Sequence, residues 1–268
     1  MPYESIAVKP LSPHIGAEVG NIDLTCALSE RQQRELRAAF VAHQVIFFRA
    51  QPVSSDDLVR LGGYLGTVVE RMGGRSNSKP TDHPLVRRYH FDEHSKRITE
   101  RVFHSDLSCA PTPPAISVLY NHTLPPDGGG DTLFASMYSA YDALSPRMQA
   151  YLEGLVATHD GARSFGKDAP SVSHPVIVRH PESGKKAIFV NAEFTTHIEG
   201  LPEKEGRHIL QFLFEHCQRA EWTCRFRWQP HSIAVWDNRC TLHKAIMDYW
   251  PHVRSGYRIY VQADSAPA

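Results

Sequence analysis

Apolar residues recur along this chain in two rhythms, and each predicts its own elements. Ser29 followed by Gln32 has the form of a capping box, and the spacing behind it predicts a helix from about Glu30 to His43. Ser54 and Ser55 offer caps for a second helix, with Leu58, Leu61 and Leu65 at helical spacing. Ser145 before Pro146 is a cap followed by proline at the first helical position, which predicts a third helix through Leu155. A fourth is predicted from about Glu203 to Cys217, with Ile209, Leu210, Leu213 and Cys217 on one face. Between the helices lie short strand-like runs: VIFF (Val45 to Phe48), ISVLYN (Ile116 to Asn121), DTLFA, HPVIV, AIFVN, TCRFRW, SIAVW and RIYVQ. Pro, Gly, Asn and Asp clusters separate them. Many short strands and a handful of helices predict a mainly β fold with flanking helices, either a barrel or a two-sheet jelly roll. No repeat, low-complexity tract or Pro/Gly/Ser linker divides the chain, so residues 1–268 read as one domain.

Charge narrows the classes of partner. Lys plus Arg and Asp plus Glu each number 29, so the formal net charge is zero, against a general nucleic-acid binder or a polybasic membrane binder. The N-terminal MPYESIAVKPLSPHIG lacks the basic-then-apolar pattern of a signal peptide, and no long uncharged apolar run follows; the expected compartment is the cytoplasm. The five cysteines are scattered and form no C-x-x-C pair, so free buried thiols are expected rather than a disulfide framework or a Cys-rich zinc site.

Candidate chemistry starts at Phe103-His104-Ser105-Asp106. On a strand, His104 and Asp106 would share a face and present an imidazole beside a carboxylate. By itself the tripeptide is a weak signal, and an edge-strand histidine beside a solvated aspartate is the favoured reading of it. His243, in WDNRCTLHKA, is the best candidate for a second histidine. Two imidazoles and one carboxylate on one side of a metal leave positions open, which suits iron(II) activating O₂ with an organic co-substrate. Zinc more often takes a closed tetrahedral set, or three ligands and a water. Arg254 and Arg258 are four apart and share a strand face, and an arginine fork could hold the distal carboxylate of 2-oxoglutarate. Thr132 could add a hydroxyl to that carboxylate. A solvated basic strand and an ordinary β-branched strand residue are the plain alternatives.

Taken together these segments resemble the taurine dioxygenase family of iron(II)/2-oxoglutarate oxygenases, which includes aryloxyalkanoate and alkyl-sulfate dioxygenases. The resemblance spans nearly the whole chain: IAVKPLSPHIGAEVGNIDL, VIFFRAQ, FHSDLS with TPPA, GGDTLFASMYSAYDALSP, HPVIVRHPESGKKAIFVN, FTTHIEGL, FLFEHC, RFRWQPHSIAVWDNRCTLHKAIMDY and the closing R-x-x-x-R. It implies a double-stranded β-helix, a jelly-roll form. It implies His104, Asp106 and His243 as ligands of Fe(II), with 2-oxoglutarate as co-substrate and O₂ as oxidant. Arg254, assisted by Thr132, would clamp the distal carboxylate. Arg258 matches an arginine that meets the substrate's anionic head in some relatives and supports the co-substrate in others. Phe194 sits where such enzymes place an aromatic near substrate, with core packing an equal reading. The implied reaction hydroxylates a small anionic molecule and yields succinate and CO₂; a homo-oligomer is expected.

Three stretches depart from the family pattern: Glu70 to Lys79, Glu100-Arg101, and Gly161 to Ser173. All lie where substrate selectivity would be set, so taurine itself is not implied. Arg71, Arg75 and Arg101 could line a basic pocket, and solvated arginine is the plainer reading for each. Halogenation would need the carboxylate ligand to be missing, and Asp106 is present. A zinc-dependent hydrolase would leave the Arg254 and Thr132 clamp without purpose, and a non-catalytic jelly-roll binding protein would be expected to have lost a ligand.

Overall fold

The computed structural model describes residues 3–70, 79–95, 102–262 and 266–268. Alternation along the central strands explains how its layers form. All four residues of Val45–Phe48 are buried. Val45 and Phe47 pack inward with Phe134, Phe226 and Trp236, while Ile46 and Phe48 join Leu36, Phe40, Leu58 and Leu61 on the opposite side. Ser232–Asp237 repeats this, with Ala234 and Trp236 inward and Ile233 and Val235 outward. Strands covered on both faces read as continuous apolar runs, which is why the hydrophobic pattern finds them.

These strands belong to a nine-stranded sheet. Its order is Ala7–Pro10, Ala17–Gly20, Val45–Phe48, Ser232–Asp237, Ile116–Thr123, Arg254–Val261, Arg87–Phe91 and Lys79–Pro80, with Val68–Val69 also paired to Arg254–Val261. Ala17–Gly20 and Val45–Phe48 run parallel; the other pairs are antiparallel. A second sheet, Thr223–Phe226, Thr132–Ser136 and Thr241–Ala245, faces it. Phe47 stacks on Phe226 with ring centroids 3.9 Å apart and meets Phe134 edge-on at 5.5 Å. The two sheets thus close on one aromatic core, giving the two-sheet jelly roll, one of the two forms the strand-rich pattern left open and the one the family resemblance implies.

Helices flank this sandwich on both sides. Glu30–His43 carries the predicted Ser29/Gln32 capping box, and Ser55–Gly63 is capped by Ser54 reciprocally with Asp57. Both cover the outer face of the large sheet. Glu203–Cys217 packs Leu210, Leu213 and Cys217 with Ala135 and Leu242 behind the second sheet. The third helix, Pro146–Leu152, stops before the predicted Leu155 because Gly154 takes a left-handed turn at φ 84°. The HPVIV run divides between Ser171–Pro175 and Ile177–Arg179, and AIFVN contributes only Lys186–Ile188. Strands with little apolar content, such as Ala7–Pro10, Arg87–Phe91 and Val156–Asp160, escape the hydrophobic pattern altogether. All five cysteines are free thiols, four of them buried and Cys26 exposed. Among the described residues no helix is long and apolar enough to cross a membrane.

Candidate active site

His104 and His243 are brought together by the backbone. An isolated antiparallel bridge joins them, with each amide donating to the other's carbonyl at 3.0 and 2.8 Å, so His104 extends the second sheet beyond Thr241–Ala245. The two rings lie 4.2 Å apart. The expected extended H-x-D strand is not formed beyond that bridge: Asp106 opens a turn, and Leu107 enters the left-handed region at φ 51°. What places the carboxylate is therefore hydrogen bonding rather than strand alternation. Asp106 Oδ1 faces both imidazoles, 3.9 Å from His104 Nε2 and 3.8 Å from His243 Nε2. Its Oδ2 accepts from Ser117 Oγ at 2.6 Å and from Arg258 Nη2 at 2.7 Å.

Asn238 ties this arrangement together. Its Oδ1 accepts from the Asp106 amide at 3.3 Å and from Trp236 Nε1 at 3.0 Å. Its Nδ2 donates to Ser117 Oγ at 2.8 Å, and its carbonyl accepts from Ser105 Oγ at 2.8 Å. His104 Nδ1 sits 3.0 Å from the Val102 carbonyl, an acceptor that keeps the ring proton there and leaves Nε2 as a lone-pair donor. His104, Asp106 and His243 are all buried, and one ligand atom from each lies within 4.8 Å of the others. At about 2.1 Å per bond two ligand atoms on one ion can stand no more than roughly 4.2 Å apart, so the 3.8 and 3.9 Å separations are within reach of one divalent cation.

Arg254 lies on the same strand as Arg258, at 3% exposure. Its guanidinium is boxed by the rings of Tyr89, Trp228 and Tyr249, with centroids 5.8, 5.6 and 5.8 Å from Cζ. Nε and Nη2 have no hydrogen-bond partner among the described residues. Cation–π contacts are worth about 1–2 kcal/mol each, whereas burying an unpaired ion costs several kcal/mol, so the aromatic box only partly offsets the burial. Thr132, also buried, accepts from Trp228 Nε1 at 3.0 Å and leaves its own proton to give. Gly130, at φ 86°, leaves room for the guanidinium: a Cβ there would stand 3.3 Å from Arg254 Cδ and 3.4 Å from its Nε. The donors match a carboxylate.

The remaining sequence candidates fall differently. Arg258 reaches Asp106 Oδ2, an ion pair that the R-x-x-x-R spacing did not suggest. Phe194 is buried, with its ring stacked on Phe165 of the short helix Ala162–Phe165. Arg71, Arg75 and Arg101 lie outside the described residues. Sequence reasoning missed Ser117, Asn238 and Trp228. The WDN run that precedes His243 was the available signal for Asn238; nothing in sequence marked Ser117.

A second cluster, His180, Asp237 and Cys240, is satisfied internally. His180 Nδ1 accepts from the amides of Glu182 and Ser183, so Nε2 carries the proton that it donates to Asp237 at 3.0 Å. Burial pushes the Asp237 carboxyl up, but hydrogen bonds from Arg239 and His180 outweigh it and hold it down at about 2. That carboxylate is committed to its protein partners.

A jelly roll holding a buried two-histidine, one-carboxylate cluster and a buried arginine has the donor set expected of mononuclear metal oxygenases. Comparison with known proteins agrees. The model of the taurine catabolism dioxygenase TauD, TfdA family matches residues 7–260. An alpha-ketoglutarate-dependent 2,4-dichlorophenoxyacetate dioxygenase of Cupriavidus pinatubonensis is 32% identical, over 90% of this chain and 92% of that protein. An alpha-ketoglutarate-dependent sulfonate dioxygenase of Saccharomyces cerevisiae is 30% identical, over 97% of this chain and 67% of that protein. The crystal structure of a taurine dioxygenase from Burkholderia xenovorans superposes with a TM-score of 0.88 at 34% identity, covering 99% of this chain and 91% of that one. The chain belongs to the TauD/TfdA family of dioxygenases.

Proposed function

We propose that this protein is an iron(II)- and 2-oxoglutarate-dependent dioxygenase, one domain over residues 1–268, that hydroxylates a C–H bond of a small anionic organic substrate. Sulfonates, sulfate esters, phosphonates and aryloxyalkanoates are the substrate types, with succinate and CO₂ as co-products. The observation that supports it most is the pairing, in one interior, of the His104/Asp106/His243 cluster with a buried Arg254 whose Nε and Nη2 lack protein acceptors.

His104, Asp106 and His243 would hold Fe(II) on one side, leaving its other positions for co-substrate and O₂. Bound there, iron(II) supplies the O₂-activating redox chemistry that no side chain can perform. Arg254 binds the distal carboxylate of 2-oxoglutarate through charge-assisted hydrogen bonds, and Thr132 donates its hydroxyl proton to the same group. Ser117, Asn238 and Arg258 keep the outer oxygen of Asp106 engaged, so that Oδ1 stays aimed between the imidazoles. Arg258 also remains the candidate for a substrate's anionic head, beside Asp106, and Phe194 with Phe165 for its apolar flank. The enzyme works on small molecules in the cytoplasm, as a homo-oligomer, without nucleic acid or membrane.

The test is O₂ consumption and succinate release by the anaerobically iron-loaded protein, with 2-oxoglutarate and a panel of those substrate types. One class should stimulate turnover, and His104→Ala should abolish it. Absence both of turnover and of a visible iron(II)–2-oxoglutarate charge-transfer band would sink the reading and bring forward a zinc-dependent hydrolase or a binding protein.

A further inference from the structure

Trp228 touches both halves of the carboxylate clamp. It is buried in the inter-sheet core, edge-on to Phe226 with centroids 4.9 Å apart and planes at 82°. Its indole N–H donates to Thr132 Oγ1 at 3.0 Å, and its ring lies 5.6 Å from Arg254 Cζ. Indole nitrogen is a donor only, so it occupies a lone pair of the threonine oxygen and cannot take the threonine proton. That proton has no acceptor among the described residues, and neither do Arg254 Nε and Nη2. Thr132 and Arg254 therefore present donors that no protein acceptor takes up.

We propose that Trp228 is a positioning residue for the 2-oxoglutarate site: it makes Thr132 an obligate donor and fixes the face of Arg254, so that the pocket end accepts a carboxylate and rejects a carboxamide. The inference rests on the 2-oxoglutarate reading above. An uncharged amide brings N–H donors of its own, which would point at the donors of Thr132 and Arg254 and leave buried groups unpaired. A purely structural tryptophan would need a partner for its N–H, but that partner would not have to be a residue facing the ligand.

The experiment is a double-mutant cycle read by calorimetric binding of 2-oxoglutarate to the anaerobic, Mn(II)-loaded full chain. Trp228→Phe keeps an aromatic ring and removes the N–H. It should weaken 2-oxoglutarate binding about tenfold, the loss expected for a charge-assisted site deprived of one oriented donor. It should also narrow the preference for 2-oxoglutarate over its distal carboxamide, while Mn(II) affinity without 2-oxoglutarate holds. In a Thr132→Val background the same change should weaken binding little further. A replacement of Trp228 by benzothienylalanine, which keeps the bicyclic shape and puts sulfur in place of N–H, is measured in parallel in case phenylalanine underpacks the core. Equal weakening in the threonine and valine backgrounds overturns the proposal, as does unchanged binding with either replacement. If the unmutated protein binds no 2-oxoglutarate, the functional reading itself falls. If it binds and Thr132→Val has no effect, the clamp falls and this inference with it.

Discussion

At the scale of residues, the candidate site depends on side chains that never meet a ligand. Asp106 sits at the start of a turn, where backbone geometry alone would let its carboxylate swing. Asn238 prevents this by bonding the Asp106 amide on one side and Ser117 on the other, while Ser117 bonds the carboxylate itself. Groups of this kind set the orientation of a ligand oxygen, and losing one typically weakens metal binding about 10–100-fold. Asn238→Ala is therefore expected to weaken Co(II) binding to the apoprotein by that factor, measured from the visible absorption of the cobalt form. Binding within twofold of the unmutated protein, with the fold intact, would show that Asp106 orients itself.

Elements matter because one strand carries both arginines. Arg254–Val261 lies between Ile116–Thr123 and Arg87–Phe91, and its alternation sends Ile259 and Val261 to the helical core while Arg254 and Arg258 face the other way. Its register against Ile116–Thr123 shifts between Ser255 and Gly256. Gly256 is required at that step: a Cβ would stand 1.9 Å from the Tyr120 carbonyl oxygen and 2.9 Å from Asn121 Oδ1. The obstacle is backbone, so it cannot rotate aside. Gly256→Ala is expected to cost at least about 2 kcal/mol in urea unfolding, as overpacking of a rigid site does, and to raise the KM for 2-oxoglutarate by displacing Arg254. Native-like stability would mean that the strand can slide apart locally without harm.

Across the whole molecule, buried histidines couple the fold to pH. His159 is fully buried; burial, reinforced by nearby His174, lowers its pKa from 6.5 to about 3. Its Nδ1 lies 3.0 Å from Ser108 Oγ, in the turn that follows Asp106, and Asn191 Nδ2 donates to that same oxygen at 2.9 Å. Between pH about 6.5 and 3 the unfolded chain binds a proton on this histidine that the folded chain refuses. Stability therefore rises with pH across that window and is lost on acidification, by about 1.4 kcal/mol per pH unit for this one group. His159→Gln should flatten the slope of unfolding free energy against pH by about one proton over that window, whatever it does to absolute stability. An unchanged slope would show that the ring is protonated inside the fold or titrates alike in both states.

Local signals in the sequence determined a good part of this protein. Reciprocal caps such as Ser29 with Gln32 act within one turn, and doubly buried strands such as Val45–Phe48 need only apolar β-formers, so both are legible without neighbours. His104 beside Asp106 is a weak signal by itself; the ordered match of many segments to one family is what implied the set His104, Asp106 and His243, and the jelly roll with it. Tertiary structure alone decided what depends on pairing between distant segments. Polar edge strands such as Arg87–Phe91 exist because a neighbour completes their hydrogen bonds, not because of their own pattern. Arg258 meets Asp106 across 152 positions of chain, and Trp228 meets Thr132 across 96. Hydrogen bonds of that reach leave no periodicity to read; they are set when two sheets close on a common core and bring donor and acceptor from distant segments within range.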